Sequence, residues 1–296
     1  MTRSPSPARA TFIGAAGNRL IADIFGETGE TVMLLHGGGQ TRHAWRKTAV
    51  EIARAGRLAI ALDQRGHGDS DWIEDGSYSF ADFAADARAV ADTLAARNHR
   101  RPIVIGASLG GIAALLAEGA AEKKGEGPVF SALVLVDITP RVDGSGVEKI
   151  QGFMRAHARE GFESIAAAAD AVAAYLPHRP RPRSHEGLKK NLRLSPDGRW
   201  RWHWDPRFLD GPRRVTRDRA ALEAVLVEAA RKLMMPALLV RGASSELVHE
   251  AHAREFKELV PHAEYADVSG ARHMVAGDRN DSFSAAILDF LARLKG

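Results

Sequence analysis

Two short segments of this 296-residue chain hold the residue types that acyl-transfer chemistry would need. In PIVIGASLGG, a run of small and β-branched residues leads into Gly106-Ala107-Ser108-Leu109-Gly110 and then directly into a helical pattern. This is Gly-x-Ser-x-Gly between a strand and a helix, where a strained turn pushes the serine hydroxyl out of the sheet edge. Residues two before and two after such a serine must be tiny to avoid collision. The helix that follows aims its N-terminal N–H groups and dipole at the same spot, which favours negative charge there. A phosphate-binding loop is excluded, because no Gly-Lys-Ser/Thr follows at the required spacing.

The second segment, TVMLLHGGGQT, ends a strand at His36 and continues into Gly37, Gly38 and Gly39. A tetrahedral intermediate needs two N–H donors aimed at its oxyanion, and bare glycine backbone lets a substrate approach one of them. The donors expected from this pattern are the amides of Leu109 and Gly38, with Gly39 as an alternative to Gly38. His36 is expected to brace the loop rather than to catalyse.

The elements that must position these residues follow from periodicity. Thr11–Ile13 and Arg19–Phe25 flank a Gly17-Asn18 turn and predict an antiparallel hairpin. Residues 31–36, 57–63, 102–107, 132–137, 236–241 and 264–268 read as further strands. Helical spacing covers 44–55, 80–97 and 282–294, and the 109–121 stretch is apolar nearly all round, as a helix packed on a sheet would be. This alternation predicts a mostly parallel α/β sheet. From 140 to about 234 the rhythm changes to helical stretches, a proline-rich basic segment (PHRPRPRSHEG) and a tryptophan-rich one (RWRWHWDP), which together read as an insertion.

Composition narrows the functional classes. The chain is 45% hydrophobic and 26% charged, ordinary for a globular protein. A charge of +4, from 41 basic and 37 acidic residues, is mild and points to neither nucleic acid nor a membrane surface. Cysteine is absent, which removes disulfides, thiolate metal sites and a cysteine nucleophile, and is compatible with a cytoplasmic location. The polar, proline-broken start predicts no signal peptide, and no apolar run is long enough to span a membrane. Trp200, Trp202 and Trp204 alternate with Arg199, Arg201 and His203. Interleaved aromatics and cations can bind single-stranded nucleic acid, but the alternation is equally that of an extended segment with its tryptophans buried on one face, and this is the reading adopted.

The order HGGG, then DQRGHGDS (Asp63–Ser70), then GASLG, then a late histidine resembles the α/β-hydrolase superfamily. The resemblance covers the core on both sides of the insertion. It implies an eight-stranded-type, mostly parallel sheet flanked by helices, with core segments 1–139 and 235–296 and a mainly helical lid at 140–234. It makes His67 a turn residue and gives the catalytic base to His273, in VSGARHMVAGD between the last strand and the last helix. It also implies an acid after the strand that follows the lid, where Glu246 is the carboxylate of the loop RGASSELV. The commoner family pattern puts aspartate where Ser245 stands, and Asp137, at the end of the strand before the lid, is the rival. His249 and His252, beside Glu246 and Glu250, could mimic a metal site but lack further ligands.

The resulting expectation is a serine hydrolase with Ser108 as nucleophile, His273 as base and Glu246 as acid. It needs no cofactor or metal and acts on a small-molecule ester-like substrate, with Trp204 and Phe153 as candidate pocket residues. A perhydrolase, lactonase or carbon–carbon bond hydrolase would use the same triad, and a ligand-binding receptor of the same fold is the rival of another class.

Overall fold

The computed structural model describes residues 7–179, 184–215, 218–275 and 280–294. Eight strands form one sheet: β1 (Ala8–Ile13), β2 (Arg19–Phe25), β3 (Thr31–Leu35), β4 (Leu58–Leu62), β5 (Ile103–Ala107), β6 (Ala132–Val136), β9 (Ala237–Gly242) and β10 (Glu264–Val268). Their order is β1-β2-β4-β3-β5-β6-β9-β10. β2 runs antiparallel to β1 and β4, and the remaining neighbours pair in parallel. The expected α/β architecture is therefore present.

Side chains alternate across the sheet, as the period of a strand demands. Val32, Leu34, Ile103, Ile105, Val134 and Val240 face a layer built from α1 (Arg46–Arg54) and α10 (Asn280–Arg293), where Trp45, Ile52, Phe283 and Phe290 are buried. Met33, Leu35, Val104, Leu133, Leu135 and Leu239 face the opposite layer of α2 (Phe80–Asn98), α3 (Leu109–Lys123), α8 (Arg219–Arg231) and α9 (Glu250–Leu259). Covering both faces is what makes the central strands continuously apolar. A Ser79–Asp82 capping box starts α2.

Between β6 and β9 lie α4 (Gly144–Ala156), α5 (Ile165–Tyr175), α6 (Glu186–Lys189), the antiparallel pair β7 (Leu192–Leu194) and β8 (Trp200–Trp202), and α7 (Arg207–Asp210), followed by α8. The short hairpin was not foreseen from sequence. Its tryptophans do behave as an extended strand requires: Trp202 and Trp204 are buried, Trp200 is half-buried, and Arg201 turns outward to Asp197. The stretch 140–234 does not act as one piece. Leu226, Ala229, Ala230 and Leu233 of α8 and its end pack into the main core, so its last twenty or so residues belong with the sheet rather than above it. Residues 180–183 of the proline-rich segment lie outside the described residues. Among the described residues, no helix is long and apolar enough to cross a membrane.

α3 crosses the ends of β3 and β5 in close backbone contact. A Cβ on Gly106 would sit 2.5 Å from the Gly110 carbonyl carbon, and a Cβ on Gly110 would overlap the Leu35 carbonyl. Neither obstacle is a flexible side chain, so the backbone itself would have to shift. Gly110→Ala is therefore expected to lower stability by about 1–3 kcal/mol, as overpacking does, read as a drop in the urea midpoint. An unchanged midpoint would show that α3 has room that these distances deny.

Candidate active site

Ser108 follows β5 and Asp137 follows β6, and the two strands are paired so that Ala107 lies opposite Val136. The next residue on each strand therefore emerges side by side at the C-terminal edge of the sheet. Ser108 has φ 46° and Asp137 φ 49°, two of the three non-glycine residues with positive φ among those described. Left-handed backbone is costly for residues with a Cβ and is retained where the surroundings over-determine it. Here the constraint is visible: the Ser108 amide donates to the Val136 carbonyl at 3.2 Å, and the Asp137 amide to the Val240 carbonyl at 2.7 Å.

Asp137 is fully buried. One oxygen accepts from the Gly242 amide (2.9 Å); the other accepts from Ser245 Oγ (2.6 Å) and lies 2.7 Å from His273 Nδ1. A carboxylate can only accept, so His273 Nδ1 carries the proton of that bond and Nε2 is left as the acceptor. The structure thus brings Asp137, and not the expected Glu246, against His273. Glu246 makes no hydrogen bond to His273; Asp137, the rival, does. Ser245, in the place where the family pattern has aspartate, turns its hydroxyl onto Asp137 and accepts the Leu247 and Val248 amides at 3.0 and 3.1 Å. Ser108 Oγ has no hydrogen-bond partner among the described residues, and contacts of this kind commonly close only around substrate.

The glycine loop after β3 lies against the serine: a Cβ on Gly37 would be 3.6 Å from Ser108 Cβ. The Gly37 amide donates to Gln40 Oε1 (3.0 Å), and the Gly39 amide donates to His67 Nε2 (3.1 Å). With Gly39 occupied, the Gly38 amide has no protein acceptor among the described residues, and neither has that of Leu109 in the first turn of α3. Leu109 opens α3, whose N-terminus adds its dipole.

His36 and His67 hold this loop. His36 Nε2 accepts the Gln64 amide (3.1 Å) while its Nδ1 donates to the Gly37 carbonyl (2.8 Å). His67 donates from Nδ1 to the Arg65 carbonyl (2.9 Å), so its Nε2 is free to accept from Gly39. His67 is therefore more than a turn residue, since it locks the glycine loop from across the turn. The rest of DQRGHGDS is equally structural. Asp63 accepts from the Arg42 amide (2.6 Å) and from Arg42 Nη1, and Arg42 also pairs with Asp23 and Asp69 at 2.9 Å each. Arg65 forks onto Asp86 at 2.6 and 2.7 Å. Nothing local in the sequence marks Arg42 or Asp86 as partners of this motif, because both pairings are made across the fold.

The inserted stretch is strapped to the same turn. Gly68 donates to the His203 carbonyl (2.7 Å), Asp205 to the Gly66 carbonyl (2.8 Å), and the Tyr78 hydroxyl to Asp205 Oδ2 (2.7 Å). These bonds place Trp204 and Phe208 over the glycine loop: Trp204 Nε1 is 3.6 Å from where a Cβ on Gly39 would be, and Phe208 Cζ 3.1 Å from one on Gly38. Phe153 stands farther along, stacked on Tyr175 at 4.1 Å and edge-on to Trp202. His249 and His252 are apart from this cluster, with the His249 amide donating to His252 Nδ1 (3.1 Å), and among the described residues no group of acidic and histidine side chains is placed to hold a metal ion. A groove of about 680 Å³ beside the β1–β2 turn, lined by Asn18, Arg65, Trp72, Asp82 and Arg213, includes neither Ser108 nor the glycine loop in its lining.

A profile of the α/β-hydrolase fold matches residues 30–279. The chain is 32% identical over 243 residues to an esterase of Mycobacterium tuberculosis, covering 80% of this chain and 74% of that protein. It is 31% identical over 236 residues to the 2-(acetamidomethylene)succinate hydrolase of Mesorhizobium japonicum, covering 78% and 77% of the two. A crystal structure of E-2-(acetamidomethylene)succinate hydrolase superposes with a TM-score of 0.81 at 25% identity, over 97% of this chain and 99% of that one. A structure of the Mycobacterium tuberculosis esterase superposes with a TM-score of 0.74 at 28% identity, over 98% and 94%.

The two bracing histidines have a consequence for stability. Burial pushes His36 down to about 4 and His67 to about 3, from the ordinary 6.5. Both stay neutral in the folded chain where the unfolded chain takes up protons, so stability falls as pH drops through 6.5 towards 4. The expected slope is about 1.4 kcal/mol per pH unit for each histidine. Urea denaturation between pH 7 and 4.5 measures it, and His67→Gln should flatten the profile. A level profile in the unmodified protein would contradict the buried neutral state.

Proposed function

The chain belongs to the α/β-hydrolase fold family, and from that premise we propose that it is a serine hydrolase of small or medium carboxylic esters. The observation that carries this reading is the 2.7 Å bond between Asp137 and His273 Nδ1, beside a serine held at φ 46° on the adjacent strand end. Asp137 holds the ring so that Nε2 receives the Ser108 proton as Oγ attacks the carbonyl carbon. The amides of Leu109 and Gly38 donate to the resulting oxyanion. When the tetrahedral intermediate collapses, the ester C–O bond breaks and Nε2 returns its proton to the departing alcohol. Water then attacks the acyl-enzyme, giving a proton to Nε2; as the second tetrahedral intermediate collapses, the bond to Oγ breaks, Nε2 returns that proton to Ser108, and the carboxylic acid departs. Neither half-reaction as written calls on a metal or cofactor.

Residues 140 to about 215 act as a lid in this proposal. Met154, Trp204 and Phe208 crowd the glycine loop, so substrate is admitted by movement of α4 away from the anchored Trp204 segment. The match to a 2-(acetamidomethylene)succinate hydrolase supports a second reading, in which the same triad cleaves a carbonyl compound other than a simple ester. A panel of ester, lactone and β-diketone substrates, with and without peroxide, separates these readings. Tight ligand binding with only slow single-turnover acylation would favour the receptor reading.

Ser108→Ala is expected to abolish ester turnover and labelling by a fluorophosphonate, followed by mass spectrometry; a labelled alanine variant would sink the nucleophile assignment. Asp137→Asn should lower kcat by roughly 10³–10⁴-fold, the scale at which losing the orienting acid acts. Glu246→Gln should cost far less with a simple p-nitrophenyl ester. The opposite order would return the acid to Glu246.

A further inference from the structure

His273 owes its place to the loop between Val268, where β10 ends, and α10. The core fixes that loop at several points. Ala271 and Val275 bury their side chains in the layer of α1 and α10. The Ser244 amide donates to the Ala271 carbonyl (2.9 Å), and a Cβ on Gly242 would lie 2.4 Å from the Arg272 carbonyl oxygen, so the end of β9 and the loop after it press on the same stretch. The ring itself is bonded at Nδ1 to Asp137. A ring tied at one nitrogen can still swing about that bond, and where its Nε2 then points is set by the backbone that carries it.

One contact on this loop comes from the insertion instead. Arg179 Nη2 donates to the Met274 carbonyl at 3.2 Å, across 95 positions of sequence. Arg179 stands in the proline-rich basic segment, just after α5, and its backbone there is held. The Leu176 amide donates to the Val172 carbonyl (2.9 Å), the Arg179 amide donates to the Leu176 carbonyl (3.0 Å), and Leu176 is buried. The chain therefore leaves α5 in a bonded turn that presents Arg179, rather than as a loose strand. Tyr175, at the end of α5, is affected by burial and by the Glu246 charge, which push its hydroxyl up to about 12. The end of α5 thus borders both the loop after β9 and the loop after β10. Because Met274 directly follows His273, the guanidinium grips the chain one residue from the base, and a charged donor makes such a bond stronger than a neutral one.

We infer that Arg179 is a positioning residue for the base: by holding the Met274 carbonyl it fixes the backbone at His273, so that Nε2 faces Ser108. This rests on the hydrolase reading and deepens it, since the insertion then contributes to proton transfer as well as covering the glycine loop. Arg179 acts through His273 and has no contact of its own with the reacting atoms. Displacing a reacting group by about 1 Å costs on the order of 10²-fold in rate, so a modest shift of this loop is enough to be read kinetically.

The test compares the wild type with Arg179→Ala and Arg179→Lys on p-nitrophenyl butyrate. Arg179→Ala is expected to lower kcat roughly 10-fold, the scale of one hydrogen bond from a charged donor. KM should change by less than about twofold, because the bond acts on the base and not on the bound ester. Arg179→Lys, which keeps a charged donor on a long side chain, should recover most of the loss. If the alanine variant does not fold, Arg179→Met, which keeps the apolar stem without a donor, carries the same comparison. A second arm removes the base. His273→Ala retains the residual turnover that oxyanion donors and binding supply, and adding Arg179→Ala to it should cost less than about twofold, since no imidazole is left to position. A further roughly 10-fold loss in that background overturns the inference, because a general effect on fold or substrate would persist there. So does a wild-type kcat in Arg179→Ala. Either result with an active wild type defeats this inference alone. A wild type with no turnover and no fluorophosphonate labelling of Ser108 defeats the hydrolase reading and this one with it.

Discussion

The hydrogen bond between Asp137 and His273 is the contact on which the rest of the candidate site depends. It joins residues 136 positions apart, so it exists only because the sheet brings β6 beside β5 and because the chain after β10 returns over their ends. Asp137 has no freedom to point elsewhere. Its amide, its two oxygens and its left-handed backbone are each fixed by a neighbour on β9 or in the loop after it. A fully buried carboxylate that holds one backbone N–H, one hydroxyl and one ring N–H is well satisfied. It can orient an imidazole without itself needing solvent.

Around that contact, most of the charged burial serves to hold loops. Arg42 with Asp23, Asp63 and Asp69, and Arg65 with Asp86, lie at or near zero exposure on at least one side of each pair. Desolvation offsets much of the Coulomb gain in such pairs, so they are weak evidence of net stability. What they supply is position. Asp63 ties the turn after β4 to the start of the 3₁₀ turn at Arg42, and His36 and His67 tie the same turn to the glycine loop. The glycine loop, with the proposed oxyanion donor Gly38, is therefore set by a lattice of bonds made before any substrate arrives, which is the preorganisation that electrostatic catalysis needs.

The fold was legible because its signals are local. Strand period, the Gly-x-Ser-x-Gly turn and the glycine loop all depend on residues within ten of one another, and β5, β6, β10 and α3 fall within a residue or two of their expected bounds. The close approach of Ser108 to the glycine loop is set by equally local signals. What escaped was decided by partners distant in sequence. The β7–β8 hairpin is too short for periodicity to reveal. The role of α8 depends on which face of α3 it meets, and the ion pairs of Arg42 and Arg65 leave no trace in spacing.

The partner of His273 is the informative case, because the expected Glu246 lies nearer to it in sequence while Asp137 is its neighbour in space. β6 and β9 are adjacent and parallel, so a carboxylate at the end of either strand can reach the same imidazole nitrogen. Moving the acid from one strand end to the other needs only that the vacated position still satisfy it. Ser245 does this: its hydroxyl donates to Asp137 from the loop where the family pattern puts aspartate, and takes two amides of that loop in return. A second carboxylate there would face Asp137 at hydrogen-bond range, and two like charges so close cannot both stay ionised. The serine is thus the expected companion of an acid on β6. The pair Asp137–Ser245, rather than either residue alone, is the feature by which this arrangement can be recognised.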